Sequence, residues 1–129
     1  MFKSELDLSK PFTPLSIAVL AVSDTRTLET DTGGALLKSL LEGDGHRCFE
    51  RAVVRDDIHQ IRAQVTEWVA DPGVDVIITT GGTGFSGRDV TPEAITPLLT
   101  KVMEGFSVLF HQYSATTVGT STIQSRATA

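Results

Sequence analysis

Cysteine is nearly absent from this sequence: Cys48 is the only one among 129 residues. A single cysteine excludes an intrachain disulfide bond and a metal centre built from several thiolates. The three histidines, His46, His59 and His111, are not spaced as a pair of metal ligands on one helix. We interpret each as an ordinary surface or core residue, and the single cysteine as typical of a protein in a reducing cytoplasm.

A surplus of basic residues and a long apolar run are also missing. The chain has 11 Lys and Arg against 16 Asp and Glu, a net charge of −5, which predicts no general attraction to nucleic acid or to an acidic membrane surface. No segment reaches the roughly 18 apolar residues of a membrane span, and the N-terminus lacks the basic start and apolar core of a signal peptide. We therefore expect a cytoplasmic protein that binds neither nucleic acid nor membranes.

The length and composition favour one domain. A chain of 129 residues that is 40% hydrophobic can bury a substantial core. Residues 1–14 contain two prolines and no periodicity, so we interpret them as an arm before a domain of residues 15–129. The arm is either a disordered tail or a segment that lies on a neighbouring subunit.

Apolar runs alternate with helical patterns along the domain. Runs at residues 15–22, 47–54 and 74–78 predict strands, and the segments between them predict helices. This order predicts an α/β fold, a three-layer α/β/α sandwich around a mainly parallel sheet. The third run is short and β-branched, so we expect it to be the central strand of the sheet, buried on both faces.

Helical spacing and capping residues predict the helices. The first should end at Gly43 as its C-terminal cap, and the second should begin at Asp56 or Asp57. Thr91 is predicted to cap a third helix that Pro97 divides, with a further amphipathic helix after Gly105 and a last one after Gly119. The predicted buried positions are Leu36, Leu37, Leu40, Leu41, Ile58, Ile61, Val65, Trp68, Val69, Ala94, Ile95, Leu98, Leu99, Phe106, Leu109, Phe110 and Tyr113.

The segment that follows the third strand carries the clearest chemical signal. Its glycines at 81, 82 and 84 permit positive φ and a close approach of the backbone N–H groups to a phosphate. Because ligands bind beyond the carboxyl ends of parallel strands, we expect this loop to meet residues 23–26 and 55–57 at one edge. Asp56 and Asp89 there would suit Mg²⁺-assisted phosphoryl or nucleotidyl transfer.

Plainer interpretations of the same residues stay open. The glycines would also serve a tight connection without a ligand, Asp89 a turn, and Asp56 the N-cap of the second helix. The loop is not a Walker A motif, because no Lys-Ser/Thr follows the glycines. Residues 82–87 match GxGxxG, but that match is weak alone, and no helix opens directly on it.

The segment TTGGTGFSGRDVTPEA, residues 79–94, resembles the signature of the molybdenum-cofactor biosynthesis proteins MoaB and MogA, a domain also present in gephyrin. The resemblance covers residues 17–129 and includes Ser23-Asp24, Val54-Arg55-Asp56, IRAQVTEWV, Glu104-Gly105-Phe106 and GTSTIQSRA. The connection lengths and this ending are more similar to the B branch than to MogA.

The resemblance implies adenylylation of molybdopterin. In active family members the terminal phosphate of molybdopterin attacks the α-phosphate of ATP in the presence of Mg²⁺, giving adenylyl-molybdopterin and pyrophosphate. By matching position it implies catalytic and Mg²⁺-binding roles for Asp56 and Asp89. It implies substrate or phosphate binding for Ser23, Asp24, Thr80, Gly81, Gly82, Thr83, Gly84, Ser125 and Arg126.

The resemblance also implies assembly as a homotrimer or, in the B branch, a homohexamer, with other cofactor-assembly proteins as partners. Family members continue beyond the Ser-Arg pair with a strand, a loop that lines the nucleotide site, and a helix, which the 129 residues do not include. Two alternatives to the enzyme remain: a member that binds pterin or nucleotide without turnover, and an oligomeric scaffold in cofactor assembly.

Overall fold

The computed structural model describes residues 7–129, so the predicted arm is described only from residue 7 onward. Residues 1–6 of that prediction lie outside the described residues. Residues 7–14 form neither helix nor strand. Phe12 in this segment lies beside His46, with the two ring centroids 5.1 Å apart.

Strands and helices alternate through the first two thirds of the described chain, which confirms the predicted α/β class. The strands are β1 (Ser16–Val22), β2 (Arg47–Val54) and β3 (Val76–Thr80). The helices are α1 (Thr32–Gly43), α2 (Ile58–Ala70), α3 (Thr91–Ile95) and α4 (Glu104–Val118), with short 3₁₀ helices at Thr96–Leu98 and Gly119–Gln124.

The sheet of the described residues is parallel, with the order β2-β1-β3. The central strand is β1, which is buried along its whole length. The prediction that the third strand is central was therefore wrong: β3 is half-buried and pairs with β1 alone in this sheet. Both strands are β-branched and apolar, and composition alone does not reveal which of two such strands has neighbours on both sides.

Helices cover both faces of the sheet, which confirms the three-layer sandwich. On one face Ala18, Leu20 and Val22 of β1 pack against α2 and α3. On the other face Ile17 and Val19 pack against Leu41 of α1. Alternation of side chains along a strand places consecutive β1 residues in different layers. The core residues of the first face on the helices are Ile61, Val65, Trp68 and Ala94.

Parts of the predicted buried faces are exposed. Leu36 and Leu40 of α1 are 59% and 57% exposed, and Val69 of α2 is 70% exposed, because each helix presents a narrower stripe to the sheet than its apolar residues would cover. Gly43 is not the cap of α1 but its last helical residue. Asp44 is the cap, and Gly45 takes the positive φ of +92° that ends the helix.

The start of α3 also differs from the prediction. Val90 occupies the N-cap position, and Thr91 lies inside the first turn. The buried Thr91 hydroxyl donates to the Gly81 carbonyl oxygen at 2.8 Å instead of capping the helix. Pro97 does divide the segment into two short pieces, as predicted.

The predicted amphipathic helix forms as α4, but none of its residues is buried. Its apolar residues Phe106, Leu109, Phe110 and Tyr113 are each at least 40% exposed. The predicted last helix is a 3₁₀ segment, and Ile123 in it is 78% exposed. Across residues 7–129, no helix combines the length and the apolarity needed to cross a membrane.

Candidate functional site

Three loops meet at the carboxyl edge of the sheet, as predicted. The backbone N–H of Ser23 donates to the Val54 carbonyl oxygen at 2.8 Å, which joins the ends of β1 and β2. The N–H of Asp56 donates to Oδ1 of Asp24 at 3.1 Å. Asp56 is not the N-cap of α2, because Asp57 takes that position and accepts from the His59 N–H. The Asp56 carboxyl is therefore not used in capping that helix.

Of the three glycines for which the sequence allowed a positive φ, Gly81 and Gly82 have it and Gly84 does not. Gly81 has φ of +94° and Gly82 has φ of +67°. A Cβ on Gly81 would collide with the Val22 carbonyl oxygen, and one on Gly82 would collide with the Thr91 hydroxyl. Only glycine fits these positions, both because of the backbone conformation and because the neighbouring atoms are so close.

The glycine loop presents unused donors at this edge. The N–H groups of Gly82 and Thr83 meet no hydrogen-bond acceptor within the part of the chain that the structure describes. Thr80 ends β3 beside Ala21 of β1, so the loop begins at the carboxyl end of β3, next to the central strand. Adjacent backbone N–H groups next to a glycine turn are a common binding geometry for phosphate oxygens.

Asp89 folds back onto the glycine loop. Its Oδ2 accepts from the Ser86 N–H at 2.9 Å and lies against Gly84. Hydrogen bonding by the Ser86 side chain, then by the Ser86 N–H, lowers the pKa of Asp89 below its ordinary value, against the opposing effect of partial burial. Asp89 is thus held as a carboxylate at one side of the loop.

Asp56 borders the loop at Gly82, and its pKa is shifted in the opposite direction to that of Asp89. A Cβ on Gly82 would be 3.1 Å from Asp56 Oδ1, so this carboxyl borders the positive-φ turn. Partial burial, followed by the negative charges of Asp24 and Asp89, raises the pKa of Asp56. A carboxylate that like charges destabilise is a favourable place for a proton or a cation.

Arg88 joins the first-strand loop to the glycine loop through Asp24. Its ion pair with Asp24 lowers the pKa of that carboxyl, and Arg88 also moderates the raised pKa of Asp56. The Ser23 hydroxyl turns inward and accepts from the N–H groups of Thr25 and Arg26 at 3.2 and 3.1 Å. Ser23 therefore shapes its own loop.

The late Ser-Arg pair also reaches the glycine loop. The Arg126 guanidinium donates to the carbonyl oxygens of Gly84 and Asp89 at 2.9 and 2.8 Å and to the Glu93 carboxylate. It also lies 5.4 Å from the centre of the Phe85 ring. The Ser125 carbonyl oxygen accepts from Nε2 of His111. Arg126 thus lies behind the loop, with its donors directed at protein oxygens.

Two surface depressions border Asp24 and Asp56. One, of about 600 Å³, is lined by the first-strand loop and by the end of β2, including Ser23, Asp24, Arg51 and Arg55. The other, of about 470 Å³, is lined by Asp56, Arg88 and the start of α2. Neither depression is lined by the glycine loop or by Asp89. Within residues 7–129, no group of three or more His, Cys, Asp and Glu side chains is arranged to hold a metal ion.

The structure brings the predicted site residues to one edge of the sheet, but three of their side chains face other protein groups. The Ser23 hydroxyl accepts from its own loop, the Arg126 guanidinium donates to protein oxygens, and Ser125 contributes only its backbone. Three further residues belong to this neighbourhood: Arg88, Glu93 and His111. Arg88 and Glu93 lie inside the signature segment and had a sequence signal, since a guanidinium and an acid flank Asp89. His111 had none, because its contact to Ser125 depends on how the chain turns after α4.

The fold and the site define a class. The chain is a parallel three-layer α/β domain with positive-φ glycines and carboxylates at the carboxyl edge of its sheet, the edge at which domains of this class bind their ligands. Residues 18–129 match the family model described as "Probable molybdopterin binding domain". This chain belongs to that molybdopterin-binding domain family.

Named relatives agree with this assignment. The chain is 43% identical over 122 residues to Molybdenum cofactor biosynthesis protein B of Escherichia coli (strain K12), covering 95% of this chain and 72% of the relative. It is 52% identical over 118 residues to the protein of the same name of Staphylococcus carnosus (strain TM300), covering 89% of this chain and 69% of that one.

Solved structures show the same fold. A crystal structure of Molybdenum cofactor biosynthesis protein B superposes with a TM-score of 0.87 at 39% identity, covering 92% of this chain and 74% of that chain. The tungsten cofactor synthesizing protein MoaB from Pyrococcus furiosus superposes with a TM-score of 0.79 at 32% identity, with the same two coverages of 92% and 74%.

Proposed function

We propose that this protein acts in molybdenum cofactor biosynthesis and adenylylates molybdopterin with ATP in a Mg²⁺-dependent reaction. Membership of the molybdopterin-binding domain family supports the pathway. The relatives named for molybdenum cofactor biosynthesis support it as well. The proposed location is the cytoplasm, and the proposed reaction joins a phosphate of the pterin to the α-phosphate of ATP with loss of pyrophosphate.

One observation supports the chemistry above the others: Asp56 and Asp89 both border the glycine loop, each at a different glycine. Asp56 borders Gly82, and Asp89 borders Gly84. Between them the loop presents the N–H groups of Gly82 and Thr83. An anion held by those N–H groups would therefore lie close to two carboxylates, and three negative groups in one site call for a cation.

The residues fit Mg²⁺ by their donor chemistry. Carboxylate oxygens are its preferred protein ligands, and a site often supplies only one or two of them while phosphates of the substrate supply others. The raised pKa of Asp56, due to burial and to the charges of Asp24 and Asp89, indicates a local excess of negative charge that a cation would relieve. Asp56 and Asp89 would hold the ion, which would neutralise charge on the phosphates during transfer.

The other residues of the site would bind the substrates and orient them. The N–H groups of Gly82 and Thr83 would hold phosphate oxygens, and Thr91 fixes the turn by its bond to the Gly81 carbonyl. Arg88 would balance the negative charge of the site from its position on Asp24. The chain needs no covalent intermediate for this reaction: a phosphate oxygen of molybdopterin attacks the α-phosphorus, and pyrophosphate leaves. Positioning and charge stabilisation supply most of the catalysis in such transfers.

The test is release of pyrophosphate from ATP in the presence of molybdopterin and Mg²⁺. The wild-type protein should turn over, and Asp89→Asn should lower kcat by about 10² or more, the usual scale for losing a group that stabilises transferred charge. Asp44→Asn is the matched control, since Asp44 is an exposed acid at the C-terminal end of α1, outside the site. Equal rates for wild type and Asp89→Asn would contradict the proposed role.

A second candidate is binding of pterin or nucleotide without turnover. Two carboxylates favour it, because each already accepts a hydrogen bond within the protein. Asp24 Oδ2 accepts from Arg88, and Asp89 Oδ2 accepts from Ser86. The same assay separates the two functions when it is paired with calorimetric titration of molybdopterin. Tight binding by a folded protein with no pyrophosphate release would favour the binding function.

We further propose that the chain assembles with copies of itself, as a trimer or hexamer, and that such an assembly would also serve as a scaffold for other proteins of the pathway. The exposed apolar residues of α4 support this, because Phe106, Leu109, Phe110 and Tyr113 would otherwise remain in contact with water. Family resemblance suggests a second copy as the occupant of this surface. Light scattering of the purified protein measures the assembly directly.

A further inference from the structure

Arg126 is hydrogen-bonded to the glycine loop and to the residues that follow it, which leaves no guanidinium nitrogen free for a phosphate. Its backbone N–H and its Nε reach the Thr83 carbonyl oxygen at 3.0 and 3.4 Å, and Nε reaches the Gly84 carbonyl oxygen at 2.9 Å. Nη2 donates to the Asp89 carbonyl oxygen at 2.8 Å, and Nη1 pairs with Glu93. Every nitrogen of the guanidinium therefore has a protein acceptor.

These acceptors lie at both ends of the loop. Thr83 and Gly84 follow the positive-φ turn, whereas Asp89 and Glu93 lie just before and within α3. A rigid planar group that spans the two ends sets the distance between them. That distance determines where the Asp89 carboxylate lies relative to the N–H groups of Gly82 and Thr83.

His111 contacts the segment that contains Arg126. Nδ1 of its ring lies 2.8 Å from the Ser107 carbonyl oxygen, and Nε2 lies 2.8 Å from the Ser125 carbonyl oxygen. Carbonyl oxygens only accept hydrogen bonds, so both contacts are satisfied together only when both ring nitrogens carry a proton. The imidazolium form thus links α4 to the residue next to Arg126.

We propose that Arg126 is a positioning residue for the glycine loop and for Asp89, and that His111 fixes Arg126 by bridging the Ser107 and Ser125 carbonyl oxygens. The inference rests on the proposed function only for its catalytic consequence. The positioning itself is a property of the free protein. It assigns His111, which the sequence offered as an ordinary histidine, a role at the site.

The charge state of His111 makes the link dependent on pH. The two carbonyl oxygens, Ser125 first and then Ser107, raise the pKa of His111, against a smaller effect of burial. The charged groups on the two elements that pack against the ring are Glu104 in α4 and Arg126 in the tail, and neither contributes to this shift. The edge of the ring faces Phe110, with centroids 5.6 Å apart. The Ser107 hydroxyl oxygen also lies 3.4 Å from Nδ1. Deprotonation leaves one of the two carbonyl oxygens without its ring donor.

The test follows solvent exchange of the Ser86 and Asp89 amides by NMR, without substrate or metal. These amides donate to Asp89 Oδ2 and to the Ser86 carbonyl, so they report the order of the loop. In Arg126→Gln their protection factors should fall about tenfold, the scale of losing a hydrogen bond to a charged group. The Ile61 amide in α2 should keep its protection, since it reports the core.

His111 is tested by a pair of variants. His111→Phe removes both donors and should lower loop protection in the same direction as Arg126→Gln. His111→Arg keeps a permanent cation with several donors and should restore it. In the wild type, loop protection should fall as pH rises through the pKa of His111, and in His111→Arg this step should vanish.

Two outcomes would overturn the inference. Unchanged protection of the Ser86 and Asp89 amides in Arg126→Gln would show that the guanidinium does not order the loop. A parallel loss at Ile61 would show that Arg126 only supports the fold. Neither outcome bears on pyrophosphate release, so failure of the positioning role and failure of the adenylylation reaction are separable.

Discussion

Arg88 and Asp24 join two loops that lie 64 residues apart in the sequence. Nε and Nη2 of Arg88 both donate to Oδ2 of Asp24, at 2.9 and 2.7 Å. Arg88 is 67% exposed, so water and salt screen this pair and its contribution to the free energy of unfolding is small. Its main effect is on the charge of the neighbouring carboxyls, because Arg88 lowers the pKa of both Asp24 and Asp56.

Replacing Arg88 by glutamine should therefore change titration more than stability. In Arg88→Gln the pKa of Asp24 and that of Asp56 should both rise, because each loses a nearby positive charge. Carboxyl ¹³C NMR over a pH series measures the two values separately. The free energy of unfolding, measured by urea denaturation at neutral pH, should change by less than about 1 kcal/mol.

Lys101→Gln provides the charge-matched control for this experiment. Lys101 is exposed in the connection before α4 and belongs to no ion pair among the described residues. This substitution should leave the pKa values of Asp24 and Asp56 as they are in the wild type. A wild-type titration of Asp24 in Arg88→Gln would show that the pair seen in the structure does not persist in solution.

Asp56→Asn should stabilise the metal-free protein at neutral pH. The pKa of Asp56 is raised in the folded state, by burial first and then by Asp24 and Asp89, so the folded protein binds this proton more tightly than the unfolded chain does. The stabilising effect of the protonated carboxyl is complete below the unfolded pKa and is lost as pH rises through the folded pKa. Asparagine stays neutral throughout, so it avoids that loss.

The expected readout is a higher melting temperature than wild type at pH 7 in buffer with chelator, and no difference near pH 3. Asp57→Ala is the contrasting neighbour, since Asp57 caps α2 and its loss should destabilise by about 1 kcal/mol. If Asp56→Asn melted lower than wild type at pH 7, the carboxylate would be stabilising and the raised pKa would be incorrect. The same substitution should weaken Mg²⁺-dependent turnover, which would separate stability from function.

The sequence predicted correctly which loops meet at one edge of the sheet, but it did not predict the order of the strands. The glycine turn, Asp56, Asp89 and the first-strand loop share an edge because parallel strands place all their carboxyl ends together, whichever strand is central. The position of β3 in the sheet depends on pairing between segments that are distant in the sequence. Its β-branched composition does not predict which strands it pairs with.

Local errors had a common physical origin. Threonine is a common helix cap, but the Gly81 carbonyl oxygen lies close to Thr91 and accepts the hydrogen bond from its hydroxyl instead. Gly43 and Gly45 both suit the end of a helix, and only the backbone path toward β2 selects the second. The contacts of His111 and Arg126 join segments that no periodicity relates, so they appear only in three dimensions.

Charged substitutions on α4 should dissociate the proposed assembly. Phe106 and Phe110 stack 6.2 Å apart on one side of α4 and are 43% and 42% exposed. Phe110→Asp places a charge in this surface, and burying an unpaired charge between copies is costly. Light scattering should show a smaller species, while Gln112→Asp, at an exposed polar position of the same helix, should keep the wild-type mass. An unchanged mass for Phe110→Asp would exclude this surface from the assembly.

Gly82 and Gly87 offer a matched pair for the glycine turn. Gly82 has φ of +67°, and a Cβ there would collide with the Thr91 hydroxyl and approach Asp56. Gly87 has no heavy atom within 4 Å of such a Cβ, and its φ is not in the left-handed region.

Gly82→Ala should lower the free energy of unfolding by about 1–3 kcal/mol, the cost of a strained backbone position with a steric clash. Gly87→Ala should be neutral or slightly stabilising, since alanine restricts the unfolded chain. Urea denaturation measures both. Because Thr91 anchors the turn and Asp56 borders it, Gly82→Ala should also reduce pyrophosphate release, whereas Gly87→Ala should not. Equal stability of the two variants would mean that the turn relaxes without cost, and the glycine at 82 would then have to be explained by its ligand.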